Sequence, residues 1–312
     1  MSHGVLKEAH TGVYMAVRDL ESTVDVTHLD EEDDMTDLPE IAIDPESTVL
    51  SVVNTNEFRR IAIVSVEDTI CIDRFNQPLI QGKSRDQTGR EMKVTTFIVL
   101  SPARSTVDLC RLKFKNIRKI RIDSHISDAP YVEMQSEMCD TEISIDTFPL
   151  RRQDEEGFLC TQEAGGQFTH FQHASTLHAV DFRCQIGTEV VAVCDGEILS
   201  AGAGGVLDGK MITGLVKSGG IHVRDLFAWN SVVLKEDTTG HVFEYVHIHH
   251  EGIRVKKGDR VKKGDTLCVS GSSGFCPEPH LHFEAHFNEG NDQPSVPVKY
   301  QNSFFKAGLH YK

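Results

Sequence analysis

The chain has 312 residues, 39% of them hydrophobic, enough for about two domains with real cores. Its formal net charge of −15 argues against broad contact with a phosphate backbone, so nucleic acid is not an expected partner. No apolar stretch approaches the ~20 residues of a membrane span. The start, "MSHGVLKEAHTGVYMAVRDL", lacks the apolar core of a secretory signal, which makes the cytoplasm the default expectation for location.

In chain order, residues 1–47 read as an acidic leader. Asp19 to Glu46 contains no Lys or Arg, the composition of a solvated or disordered segment. Residues 48–150 read as a β-rich accessory domain. The pieces "STVLSVVN", "RRIAIVSV", "TTFIVLS" and "DLCRLKFKNIRKIRID" are rich in β-branched residues and separated by turn formers. Within the basic stretch Arg111 to Arg121, Leu112 and Phe114 alternate with Lys113 and Lys115. That pattern predicts a half-exposed strand rather than a nucleic-acid surface. "LRRQDEEGF", Leu150 to Phe158, reads as a polar joint.

Residues 151–312 continue as strands punctuated by Asp-Gly and Lys-Gly-Asp turns, with no helical pattern of any length. The two "VKKGD" copies read as successive turns, too short to be a structural repeat. The fold class expected for the whole chain is therefore all-β. The eight cysteines include no C-x-x-C pair, which favours free thiols in a reducing compartment over a zinc ribbon or a disulfide framework. Cys276 precedes a histidine-rich strand and reads as a loop cysteine, with metal ligation the less favoured use.

That strand, in "PEPHLHFEAHF", places His280, His282, Glu284 and His286 on one face. Leu281, Phe283, Ala285 and Phe287 lie on the other and can pack on a core, leaving the polar row to face a cleft. Neutral imidazole is both a common metal ligand and a base near neutrality, so one face could bind a metal and handle a proton.

The order of motifs carries more than the strand alone. His170 lies in "GGQFTHF", Asp181 in "HAVDF" before "GTEVVAVCDGEILSAG", and His247 in "YVHI" before "VKKGDRVKKGD". "SGSSGFCPEPHLHFE" closes the series. Residues 165–287 thereby resemble the LytM/lysostaphin-type zinc metallopeptidases, the M23 endopeptidase family. The resemblance implies an antiparallel β-sheet peptidase domain and one Zn2+ per chain. It implies His170, Asp181 and His282 as metal ligands and His247 and His280 as catalytic histidines. Three protein ligands leave a position for water, whose pKa zinc lowers toward about 7. The implied substrate is a peptide, in peptidoglycan or its cross-bridges.

The first ligand departs from the common pattern, which places a His four residues before the Asp, where Leu177 stands here. His170 fits a version of the motif with the His farther upstream. His178 and His173 remain alternatives that would need a bulge or a loop. Glu284 reads as a partner orienting an imidazole or as a salt bridge, and His286 as lining the cleft. The Gly-rich segment Ala201 to Phe227 reads as a cleft wall or lid. Two other functions stay open: a catalytically inactive zinc-binding relative acting as a recognition module, and a biotinyl/lipoyl-like carrier. No Met-Lys-Met element of the kind a carrier needs occurs, and a carrier leaves the histidines unexplained.

Overall fold

The computed structural model describes residues 5–17, 40–85, 89–128, 142–151, 155–166, 168–170, 173–204, 206–207, 210–211, 214–217, 219–290 and 293–312. Most of the acidic run, residues 18–39, lies outside them. The described residues form strands and short 3-10 turns (Ile117–Lys119 and Val223–Asp225), with no α-helix among them. The all-β class is what the alternating patterns specify. Among the described residues no helix is long and apolar enough to cross a membrane.

The chain divides into two compact units, one of residues 1–130 with 221–223 and one of residues 131–220 with 224–312. In the first, a six-stranded sheet is ordered Val5–His10, Val13–Val17, Glu91–Ser101, Arg60–Glu67, Arg121–Asp128, with Gly82–Arg85 also on Glu91–Ser101. A four-stranded sheet runs Glu40–Ile43, Val49–Asn54, Ser105–Lys113, Ile70–Ile72. Val64, Phe97 and Val99 from one sheet and Leu50, Val52 and Leu112 from the other share one core. Arg111 and Lys113 are exposed on either side of buried Leu112, but the strand ends at Lys113 and Ile117–Lys119 form a 3-10 turn, so the half-exposed strand expected over Arg111 to Arg121 covers only the start of that stretch.

Three expectations differ here. Residues 5–17 and 40–43, expected in the leader, contribute strands to the first unit, where Val13, Tyr14 and Ala16 are apolar enough to be buried. Residues 143–150, expected in the accessory domain, pack in the second unit. Ile143–Ile145 pairs in parallel with Val298–Tyr300, and Phe148 and Leu150 join that unit's core. Of the segment read as a lid, residues 221–223 instead join the first unit, where Val223 N–H donates to Ser65 Oγ at 2.9 Å. Its residues 205, 208–209, 212–213 and 218 lie outside the described set.

The second unit is built on an eight-stranded antiparallel sheet. Its order is Arg260–Val261, Gly196–Ala203, Asn230–Glu236, Val242–Val246, His280–His286, Val180–Arg183, Phe158–Gln162, His310–Tyr311. Phe182, Phe243, Tyr245, Leu281 and Phe283 fill one face with buried apolar bulk. The two "VKKGD" stretches make the same turn twice. Asp259 Oδ2 accepts the Lys256 N–H at 3.0 Å, Asp265 Oδ2 accepts the Lys262 N–H at 2.8 Å, and Gly258 and Gly264 supply φ of 86° and 87°.

Candidate metal centre

Cross-strand register brings the site together. Asp181 lies directly opposite His282, and Gln162 lies opposite Asp181 from the next strand. Register partners project to the same face, so the polar side of the histidine strand meets the Asp181 carboxylate. His282 Nδ1 is 3.0 Å from Asp181 Oδ1. His170 Nε2 comes within 3.1 Å of the same oxygen. It arrives there because the chain doubles back, a fold held by Thr176 Oγ1–H donating to the His170 carbonyl at 3.1 Å.

His170, Asp181 and His282 form a group whose ligand atoms lie within 4.8 Å of one another. The donor set fits a zinc-like cation. In a tetrahedron with bonds of about 2.05 Å, ligand atoms sit about 3.3 Å apart, close to the spacing here. Both imidazoles also have the other nitrogen occupied, as metal-bound histidines do. His170 Nδ1–H donates to the Glu163 carbonyl at 3.2 Å, and His282 Nε2–H donates to Glu284 Oε2 at 3.2 Å. Each ring therefore turns its remaining nitrogen toward Asp181. Glu284, read from sequence as either an orienting partner or a salt bridge, sits where it orients His282.

The charges around the carboxylate are strongly coupled. Burial works against the charged form of Asp181, but the imidazoles of His170, His280 and His282 hold it well below the usual carboxylate range. Burial likewise opposes protonation of His282, yet hydrogen bonds to Asp181 and Glu284 raise it to about 10. In the metal-free chain, protons occupy the place where a cation would sit.

Two more imidazoles stand beside the group. The His280 ring is 4.5 Å from the His247 ring, and His280 Nε2 is 3.7 Å from Asp181 Oδ1. Each is tied at Nδ1 to a backbone carbonyl, His247 to Ser273 at 2.6 Å and His280 to Glu278 at 2.7 Å, so both present Nε2 to the site. His247 adopts a left-handed φ of 64°, rare for a residue with a Cβ and held here by its surroundings. Burial and the neighbouring histidines push His247 well below the ordinary imidazole range. His280 goes the other way: burial opposes its charge, but Cys276 and Asp181 raise it to about 10.

The other candidates lie apart from the group. His178 donates its backbone N–H to Ser295 Oγ at 2.8 Å and leaves Nε2 without a partner. His173 is exposed, with Nδ1 2.7 Å from Ser175 Oγ. Leu177 is fully buried. Cys276 is a buried residue whose thiol lies 3.4 Å from His280 Nδ1 and donates to the Glu278 carbonyl at 3.1 Å. The polar face is not the open cleft wall expected: all of His280–His286 is buried, because the His170 loop and Pro294–Ser295 cover it.

Residues 175–294, which span Asp181, His247 and the histidine strand, match the profile of peptidase family M23. Residues 175–294 of the C-terminal unit are thus an M23-type domain. The chain is similar to the glycyl-glycine endopeptidase ALE-1 of Staphylococcus capitis, 33% identical over 127 residues, which is 40% of this chain and 29% of ALE-1. It is similar to lysostaphin of Staphylococcus simulans, 31% identical over 134 residues, 42% of this chain and 23% of lysostaphin. It thus spans less than a third of the length of either relative. The crystal structure of the lysostaphin catalytic domain from Staphylococcus simulans aligns at 27% identity and a TM-score of 0.29, covering 47% of this chain and 86% of that one.

For an M23 domain, the supporting residue that no sequence motif marks is Gln162. Its Nε2–H donates to Asp181 Oδ2 at 2.7 Å and to Thr169 Oγ1 at 2.9 Å. Its Oε1 accepts the Thr169 N–H at 2.9 Å and the Phe168 N–H at 3.1 Å. One side-chain amide thereby fastens the His170 loop to the Asp181 carboxylate. Gly166 makes room for it, since a Cβ there would fall 2.2 Å from Gln162 Cγ.

Proposed function

We propose that the chain is a zinc-dependent endopeptidase that hydrolyses peptide bonds in peptidoglycan peptides or cross-bridges. The observation that supports this most is the convergence of His170 Nε2 and His282 Nδ1 on one Asp181 oxygen, at 3.1 and 3.0 Å, beside two further imidazoles. The M23 profile and the similarity to a glycyl-glycine endopeptidase and to lysostaphin point to the same reaction and substrate class.

In this reading His170, Asp181 and His282 hold one zinc ion. Zinc when bound polarises a carbonyl and makes water available as hydroxide near neutrality. Gln162, Glu163 and Glu284 keep the three ligands in place. His247, kept neutral with its Nδ1–H on Ser273, presents a free Nε2 lone pair and accepts the proton of the attacking water. His280 holds a proton more tightly and donates Nε2–H toward the oxygen that gains charge. The surrounding burial excludes bulk water and strengthens each of these interactions.

Digestion of purified peptidoglycans that differ in cross-bridge composition, with mass analysis of the products, tests the reading. Zinc-dependent cleavage abolished by Asp181→Ala supports it. Zinc bound without cleavage of any substrate overturns it in favour of a recognition module, and no zinc binding overturns the site itself.

A further inference from the structure

Two residues along the histidine strand from His282 lies a second cluster that the peptidase reading leaves unused. Glu244 and Glu284 are register partners on adjacent antiparallel strands, so two carboxylates face each other directly. Like charges in that position are destabilising unless something between them compensates. Glu284 and His286 are buried, with 5% and 6% exposure, and Glu244 is half-buried. No Lys or Arg among the described residues forms an ion pair with either carboxylate.

The third member is His286. Its Nδ1–H donates to the Pro294 carbonyl at 3.2 Å, which turns Nε2 toward Glu284 Oε1 at 3.4 Å. Occupation of one ring nitrogen by a backbone carbonyl is how metal-bound imidazoles are oriented. In a buried place a ring-nitrogen lone pair cannot face the Glu284 carboxylate bare. It needs a cation or protons. The ligand atoms of Glu244, Glu284 and His286 lie within 4.8 Å of one another, the same limit that encloses His170, Asp181 and His282.

We propose that Glu244, Glu284 and His286 form a second divalent-metal site, separate from the His170–Asp181–His282 group. Two carboxylates and one imidazole suit a first-row cation such as Zn2+ or Mn2+, with water completing its shell. Glu284 keeps its other oxygen on His282, so one carboxylate touches both centres. That makes the two sites neighbours on one strand without a shared ligand atom.

The test counts metal and does not depend on activity. Full-length protein is stripped with a chelator, dialysed against excess Zn2+ and then against buffer, and its zinc is measured per chain. Wild type is expected to retain about two equivalents, and Glu244→Gln and His286→Gln about one each. Asp181→Ala should also keep about one, the ion at the second site, so failure of either assignment is separately visible. Far-UV circular dichroism checks each variant for folding, and the near-isosteric Glu244→Gln carries the test should His286→Gln unfold. One equivalent in wild type overturns the proposal. So do two equivalents in both Glu244→Gln and His286→Gln, which would place the second ion on other histidines.

Discussion

Gln162 and Asp181 are register partners joined by a 2.7 Å hydrogen bond from the side-chain amide to Oδ2, the oxygen that faces away from the two imidazoles. The bond leaves Oδ1 free for His170 and His282. Gln162 also grips the loop that carries His170. Replacing it with Ala removes both restraints, and zinc affinity should fall about 10–100-fold, the usual cost of losing such a support. Gly166→Ala should give a similar fall, because its Cβ would displace Gln162. Competition with a chromophoric chelator measures both. Wild-type affinity in the two variants would show that Gln162 is not a positioning residue.

Binding and chemistry should separate. His282→Ala and Asp181→Ala are expected to lose most of the first zinc. His247→Ala and His280→Ala should keep it while turnover drops on the order of 10²-fold or more. Metal analysis beside a peptide-cleavage assay decides this. A His247 or His280 variant as depleted in zinc as His282→Ala would make that residue a ligand.

Much of this site is legible in the amino-acid sequence. The period-two alternation of His280 to Phe287 fixes which residues share a face, because side-chain direction along a strand depends on spacing alone. That Asp181 and His282 serve one site is what the resemblance in motif order implies; their direct pairing is seen only in the structure. Gln162 is not legible in the sequence: it acts through a neighbouring strand, and an isolated glutamine carries no spacing signal. Nor is the burial of the polar face, since the His170 loop lies more than a hundred residues upstream and Pro294 folds back onto His286 only through the intervening turn. The pairing of Ile143–Ile145 with Val298–Tyr300 is hidden for a related reason, three residues being too few for a pattern.

Zinc binding should weaken as pH falls. His282 is raised to about 10 in the metal-free chain, so near neutrality the ion must displace its proton. Each displaced proton weakens apparent affinity about tenfold per unit of acidification below that pKa. Chelator competition at several pH values between about 6 and 9 should give a slope of at least one decade per unit. A flat profile would mean that His282 does not ligate.

Phe182 anchors the core behind Asp181. Its ring lies 4.8 Å from Phe148 and 4.9 Å from Phe305, and it is fully buried. Phe182→Ala should cost ~3–5 kcal/mol of stability, read from urea unfolding. A loss below about 1 kcal/mol would show that the surrounding rings collapse into the space.

Asp181 and His282 are 101 residues apart in sequence yet direct partners across two strands. Closing a span of that length comes after local hairpins such as Asn230–Glu236 with Val242–Val246 have formed, because distant pairing bears the larger loop entropy. A growing chain therefore has no complete metal-ligand group until both strands are made and paired. The His170–Asp181–His282 group comes into being only with that long-range pairing, so an immature copy lacks the complete ligand set.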